Sequence, residues 1–268
     1  MPDLPWTTNQ LRKLGICIRD SRPIPESLPT YDAVMVYYND VAADTQSKIK
    51  ALDWTPLLGE RVPEVTSRPK TIDTLREKLR RDHSTPLQSV QDVAGVRFEA
   101  EMTLDEQDGV ANAIAGLFGH DLQVCCRDMR DSPHSGYRAL HLWLKLPARV
   151  EVQIRTHLQG RWANTYEAAA DVLGRGIRYD ELPTDDREKQ FVVDLQDIST
   201  TGLSTLERRR SKVRTLRSLE EAKKQPSKRK LREFTQAERD MDETENVVLE
   251  GLANLKASFD TMRLTRKE

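Results

Sequence analysis

An α+β fold is predicted, with a mixed β-sheet flanked by helices, N-terminal helices before it and a helical C-terminal extension after it. Three observations carry that expectation. Arg149 to Thr156, R-V-E-V-Q-I-R-T, alternates apolar Val150, Val152 and Ile154 with Arg149, Glu151, Gln153 and Arg155. This is the period of a strand with one buried and one polar face. From residue 90 to residue 173 the periodicities run strand, helix, strand, strand, strand, helix, an order that places helices on the faces of a mixed sheet. Beyond Tyr179 no strand signal recurs and the chain reads as helix. The expected organisation is an N-terminal helical segment over 1–60, the sheet domain over 61–180 and a charged extension over 181–268.

Taken in order, Thr7 caps a short helix with Leu11, Leu14 and Ile18 on its apolar face, and Pro23, Pro25 and Pro29 interrupt the chain after it. A longer helix runs from about Tyr31 to Leu52, with Val34, Tyr38, Val41, Thr45, Ile49 and Leu52 on one face. Tyr31, Tyr37 and Tyr38 on it are either packing residues against the next domain or a lid or partner surface. S-R-P-K at Ser67 to Lys70 is an extended entry to a helix from about Ile72 to Arg81 that buries Ile72, Leu75 and Leu79. Val90 to Ala100 reads as a strand in which Gly95 predicts a bulge or a close approach of a ligand or backbone. Thr103 and Glu106 form a capping box for a helix that ends at Gly119. Leu122 to Arg127 reads as a short strand, and Asp128 to Gly136 as a loop of turn formers. In the strand Tyr137 to Leu146, Leu140, Leu142, Leu144 and Leu146 share one face, with Tyr137, Ala139, His141, Trp143 and Lys145 on the other. A helix from His157 to Leu173 carries Trp162 and Tyr166 on one side. Asp186 to Glu221 and Glu233 to Met262 are the final helices, broken at Pro226. Val248, Leu252, Leu255, Phe259 and Met262 form a seam on the last one, which docks on the sheet domain or on another subunit.

Size and composition bound the function. The 268 residues have room for one large core or two modest domains; 32% are charged and 6% aromatic. The net charge of -1 conceals a segment, Glu207 to Arg232, with twelve Lys and Arg against three Glu. No apolar run approaches the roughly 18 residues of a membrane span. The N-terminal residues lack the basic and apolar regions of a signal peptide. Cys17, Cys125 and Cys126 give neither a disulfide framework nor zinc spacing. The expected compartment is a reducing cytoplasm, with no membrane partner.

The polar residues of these elements point to one chemistry. On the Arg149–Thr156 strand a lone carboxylate stands between two arginines. Arginines take phosphate oxygens and a carboxylate takes a metal or a proton, although ion pairs on a solvated sheet face have the same pattern. Arg68, Lys70, Arg76, Lys78, Arg80 and Arg81 are six basic residues within fourteen positions, either a solvated helix or a grip on a triphosphate. Tyr137, His141 and Trp143 on one strand face would suit stacking on a base.

Four motifs then occur in order: S-R-P-K at Ser67 to Lys70, with Arg76 and Lys78 after it; D-V-A-G-V-R at Asp92 to Arg97; S-G-Y-R-A-L-H at Ser135 to His141; and E-V-Q-I-R-T at Glu151 to Thr156. Together they resemble the synthetase domain of the RelA/SpoT family of alarmone synthetases, over about Val65 to Trp162. The resemblance implies a nucleotidyltransferase-like domain that transfers the β,γ-pyrophosphate of ATP to a ribose 3'-hydroxyl and releases AMP. It implies that Arg68 and Arg97 flank the adenine and that Lys70, Arg76 and Lys78 hold the ATP phosphates. Asp92 and Glu151 would bind Mg²⁺, and Glu151 would also take the proton from the acceptor hydroxyl. Tyr137 would stack on the acceptor base, with His141, Gln153 and Arg155 around the acceptor.

Departures from the family pattern qualify this. The hydrolase signature is absent, since His120-Asp121 has no Glu-Asp sequel, so a monofunctional small synthetase is expected. The family's lysine before the Gly-Tyr of the acceptor motif is missing; the matching stretch, one residue shorter, is Pro133-His134-Ser135. The family's Glu-His pair is not matched after Trp162-Ala163. The expected acceptor is a guanosine nucleotide, GDP or GTP. The alternatives are a toxin-type synthetase acting on the 3' end of tRNA or making adenosine alarmones, with a protein antitoxin as partner, and a nucleic-acid binder with a degenerate catalytic fold. A homo-oligomer through the C-terminal helices is a further expected partner.

Overall fold

A computed structural model describes residues 3–265; the side chains of Arg68, Pro69 and Thr265 lie outside that description. The elements in chain order are α1 (Thr8–Arg19), α2 (Tyr31–Lys50), α3 (Thr55–Leu58), β1 (Glu64–Pro69), α4 (Ile72–Arg81), β2 (Ala94–Ala100), α5 (Leu104–Leu117), α6 (Leu122–Cys125), β3 (Cys126–Asp128), β4 (Leu140–Lys145), β5 (Arg149–Thr156), α7 (His157–Leu173), α8 (Asp186–Asp197), α9 (Ser204–Glu221) and α10 (Lys228–Thr265). The fold is α+β as expected: a mixed five-stranded sheet, ordered β1-β2-β5-β4-β3, flanked by helices. Among the described residues no helix is long and apolar enough to cross a membrane. The chain forms two compact units that interleave along the sequence. The first comprises 1–99, 109–127 and 140–154, and the second 100–108, 128–139 and 155–268.

In the first unit β5 is the central strand. Its Val150, Val152 and Ile154 are fully buried with Leu142 and Leu144 of β4 and Val96 and Phe98 of β2. Each fully buried side chain of this kind contributes about 1.5–3 kcal/mol. β4 and β5 pair antiparallel with Leu142 opposite Val152, joined by a tight turn in which the Leu146 N–H donates to the Ala148 carbonyl at 3.2 Å. Helix α1 starts at a Thr7–Gln10 capping box and buries Leu11, Leu14 and Ile18. On α2, Tyr37 and Tyr38 are buried, with Trp6 edge-on to Tyr37 at 5.8 Å. They are therefore packing residues of this unit and no lid.

Several strand expectations need correction. Ser67 to Pro69 belongs to a full edge strand, β1, paired antiparallel with β2 from Glu64↔Glu99 to Pro69↔Ala94. The register runs through Gly95 without a bulge. The strand expected from Val90 begins only at Ala94, because a 3-10 turn at Leu87–Ser89 feeds a turn through Asp92. Leu122 to Cys125 is a helical turn capped by Asp121, whose side chain accepts from the Gln123 N–H. Tyr137 to Ala139 lies ahead of β4, not in it.

In the second unit α7 starts at a Thr156–Gln159 capping box. Trp162 and Tyr166 stack at 4.7 Å between centroids, packed with Val192, Leu195, Leu203, Leu252 and Phe259. The Trp162 indole N–H donates to the Leu195 carbonyl at 2.7 Å. Helices α8 and α9 are joined through a π-helical stretch, Ile198–Leu203. Val248, Leu252, Leu255 and Phe259 of α10 face this core as the seam predicts, while Met262 is half exposed. Arg138 and Glu207, both almost fully buried, form an ion pair at 2.6 Å, and the Thr156 hydroxyl donates to the same carboxylate.

Candidate active site

The antiparallel register of β1 and β2 brings Lys70 beside Asp92. Pro69 stands opposite Ala94, so the residue after β1 meets the turn before β2. Thr71 caps α4, and the helix carries Lys78 to the same place two turns later. The Lys70 ammonium donates to one Asp92 oxygen at 2.5 Å and Lys78 to the other at 2.6 Å. Burial would raise the Asp92 carboxyl, but the two lysines outweigh it and hold it below the usual carboxylate range. These charge-assisted bonds place two cations on one small anion.

Glu151 lies on the polar face of β5, opposite Trp143 of β4. It is only 8% exposed. His141 Nδ1 is 3.1 Å from one of its oxygens, and the Gln153 side-chain N–H donates to the other at 2.8 Å. Burial pushes this carboxyl up, and so does the charge of Asp92. The hydrogen bond and charge of His141, with the Gln153 bond, outweigh both and leave it below its ordinary value. Glu151 is thus an ionised, nearly water-free carboxylate near a second one. Such a carboxylate can accept a proton or share a cation.

The other expected residues are placed less uniformly. Arg97 is half-buried on β2 opposite Thr66. The Arg68 backbone pairs with Gly95, and its side chain lies outside the described residues. Arg76 is turned to the Ile18 carbonyl at 3.1 Å and to Asp73 at 2.9 Å. It therefore braces α4 against the end of α1, and no contact brings it to Asp92. His141 and Gln153, expected around an acceptor, hold Glu151 in place.

In the second unit Tyr137 and Arg155 hold each other. The Arg155 guanidinium donates to the Tyr137 hydroxyl from Nε at 3.1 Å and from Nη2 at 2.8 Å, with its carbon 5.0 Å from the ring centre. The preceding loop has a left-handed residue at Ser135 and another at Gly136. Gly136 is required there: a Cβ would sit 2.8 Å from the Trp162 ring.

Sequence reasoning missed two features. Arg127 stacks over Trp143 at 4.7 Å on the polar face of β4; the only signal was an aromatic on a polar strand face. Asp180, the last residue of the expected domain, meets His134 and Ser135, with no motif around it. The donor set also bears on the metal. Among the described residues no group of three or more His, Cys, Asp and Glu is disposed to hold an ion. Two hard carboxylates fit Mg²⁺ of the kind completed by substrate phosphates, and do not fit an all-protein cage.

Comparisons with known proteins bear on the family and the fold. Residues 67–171 match the family model described as the region found in RelA and SpoT proteins. Uncharacterized proteins of Mycobacterium bovis and Mycobacterium tuberculosis are 50% identical over 180 residues, covering 67% of this chain and 64% of theirs. The chain thus spans somewhat under two thirds of the length of those relatives. Small alarmone synthetase 1 of Bacillus subtilis superposes with a TM-score of 0.52 at 23% identity, over 72% of this chain and 98% of its own. Its product-bound form, with pppGpp, gives a TM-score of 0.51 at 23% identity over 69% and 96%. Small alarmone synthetase 2 of the same organism gives 0.53 at 19% identity over 69% and 98%. These structures share the fold.

Proposed function

We propose, from the match of residues 67–171 to the family model of RelA and SpoT proteins, that the chain is an ATP-dependent pyrophosphokinase of that family. It transfers the β,γ-pyrophosphate of ATP to the ribose 3'-hydroxyl of GDP or GTP. The observation that carries this reading is the Asp92 carboxylate clasped by Lys70 and Lys78 close to the ionised Glu151. Two ammonium groups on a single carboxylate are poised to exchange part of that contact for polyphosphate oxygens. Phosphoryl-type transfer needs positioning and charge neutralisation more than covalent help. In this reading Lys70 and Lys78 hold the phosphates, while Arg97 and Arg68 hold the adenine side.

The 3'-oxygen forms a bond to the β-phosphorus. The bond from that phosphorus to the oxygen bridging it to the α-phosphate breaks, and AMP leaves with the electron pair. Glu151 accepts the proton released by the hydroxyl. His141 and Gln153 keep its carboxylate aimed and its negative charge compensated. Asp92 and Glu151 are the residues that would hold Mg²⁺ together with the nucleotide, and the ion would supply charge neutralisation on the phosphates. Tyr137, backed by the Arg155 guanidinium, offers a ring on which a purine can stack, worth about 1–3 kcal/mol.

The small alarmone synthetase 1 structure with pppGpp supports a guanosine acceptor. The test is to follow the γ-label of ATP with GDP, GTP, ATP or deacylated tRNA as acceptor. Label in a guanosine 3'-pyrophosphate is expected. Label on tRNA, or in an adenosine product, would move the chain to the toxin-type alternatives. ATP left intact with every acceptor would leave only a binding role.

A further inference from the structure

The loop that delivers Tyr137 is held in an unusual backbone conformation by a residue outside the matched region. Ser135 and Gly136 are both left-handed, with φ of 50° and 81°. Glycine adopts this freely and serine does not. The Ser135 side chain is buried, and its hydroxyl donates to Asp180 Oδ1 at 2.7 Å while accepting the Asp180 backbone N–H at 3.2 Å. His134 closes the ring: its Nδ1 is 3.0 Å from the Ser135 hydroxyl and its Nε2 is 3.2 Å from the other Asp180 oxygen. Directly after this clasp the Tyr137 N–H donates to the His134 carbonyl at 2.9 Å.

Asp180 is itself fixed. It follows the 3-10 turn Arg175–Tyr179, whose Ile177 carbonyl accepts the Tyr166 hydroxyl at 2.9 Å. Gln196 of α8 donates to that same hydroxyl at 2.7 Å, so the segment before Asp180 is tied to the core of the second unit. On the other side of the loop, Gly136 is pressed against Trp162. The Asp180 carboxylate is 63% exposed, so low dielectric contributes little. Four contacts meeting on one hydroxyl and one carboxylate give the clasp its geometry.

We propose that Asp180 is a positioning residue: through Ser135 and His134 it locks the 134–137 loop and so presets the Tyr137 ring for the acceptor base. This rests on the pyrophosphokinase reading above. It places acceptor specificity partly in a residue that acts through the 134–137 loop, the loop in which the family's lysine is missing.

The test compares Asp180→Gly with Asp180→Asn. Asp180 is left-handed, with φ of 61°, so glycine keeps the backbone while deleting the carboxylate. Asparagine also tolerates that conformation and retains an acceptor for Ser135. Amide hydrogen exchange and kinetics are read together. In Asp180→Gly the Tyr137 amide should exchange at least about tenfold faster and the KM for GDP should rise about tenfold, the lower end of what one stacked base is worth. The KM for ATP should stay within about twofold. Asp180→Asn should recover most of both effects. Unchanged exchange in Asp180→Gly, or equal rises in both KM values, would overturn the role while leaving the functional reading intact. Wild-type protein that transfers nothing to any acceptor would overturn the functional reading, and this role with it.

Discussion

Asp92 and Glu151 are two acids in one neighbourhood that are kept ionised by different means. Asp92 is matched by ammonium groups, and Glu151 by an imidazole and an amide. Their ordinary values are about 3.9 and 4.3, and both are displaced downward. A carboxyl whose value falls on folding binds fewer protons in the native than in the unfolded state. Its contribution to stability is complete above the unfolded value and is lost as pH falls through the folded one. Wild type should therefore be more stable than Asp92→Asn at pH 7, and the gap should narrow below about pH 4. Chemical denaturation of both proteins from pH 7 to pH 3 measures this. A gap independent of pH would contradict the ion-paired state of Asp92.

Among the elements, α9 and the start of α10 change meaning most between composition and structure. The segment Glu207 to Arg232 reads as a bare polycation, yet among the described residues seven of its twelve cations have acidic partners within the second unit, Arg229 with Glu233 among them. Arg208 meets Asp131, Arg214 meets Glu106, Arg217 meets Glu221 and Glu238, and Lys223 and Lys230 meet Glu220. Arg210 is the most enclosed of them. It joins Asp242 at 2.5 Å and also the buried Glu245, whose carboxyl burial pushes up. Arg209 beside it is exposed and has no partner among the described residues. This pattern assigns much of the charge to helix packing and weakens the nucleic-acid-binder alternative. Arg210→Gln should lower the melting temperature by several degrees. Breaking a buried pair costs up to about 3–5 kcal/mol, and each kcal/mol moves the midpoint by about 2–4 °C in a chain of this size. Arg209→Gln should leave it unchanged. Equal melting temperatures in a thermal scan of the two variants would contradict this assignment.

At the scale of the whole molecule, what was legible from sequence was local. The alternation in β4 and β5 marked both strands and the face bearing Glu151, because side chains in a strand repeat every two residues. The His157–Leu173 helix was found with its observed ends. β1 was misread as an entry because Thr66, Ser67 and Pro69 give no apolar alternation; pairing with β2 makes it a strand. Leu122 to Cys125 alternates like a strand, but the Asp121 cap turns it into a helix. The Asp180 clasp and the Arg138–Glu207 pair join residues 45 and 69 positions apart, and no local pattern encodes either. Four short motifs located Lys70, Lys78, Asp92 and Glu151, and the structure joins Lys70, Lys78 and Asp92, and seats Glu151 between His141 and Gln153. The motifs could not show that Arg76 is committed to Ile18. The central claim, that Glu151 takes the proton as a pyrophosphate leaves ATP, is tested most directly by counting products. Wild type and Glu151→Gln are incubated with γ-labelled ATP and GDP, and AMP and labelled guanosine product are quantified together. The account predicts one AMP per labelled product in the wild type. Loss of a positioned base typically costs about 10²–10⁴ in rate, so at least a hundredfold loss is expected in Glu151→Gln with ATP binding retained. ADP in place of AMP, or a variant that keeps more than about a tenth of the rate, would contradict it.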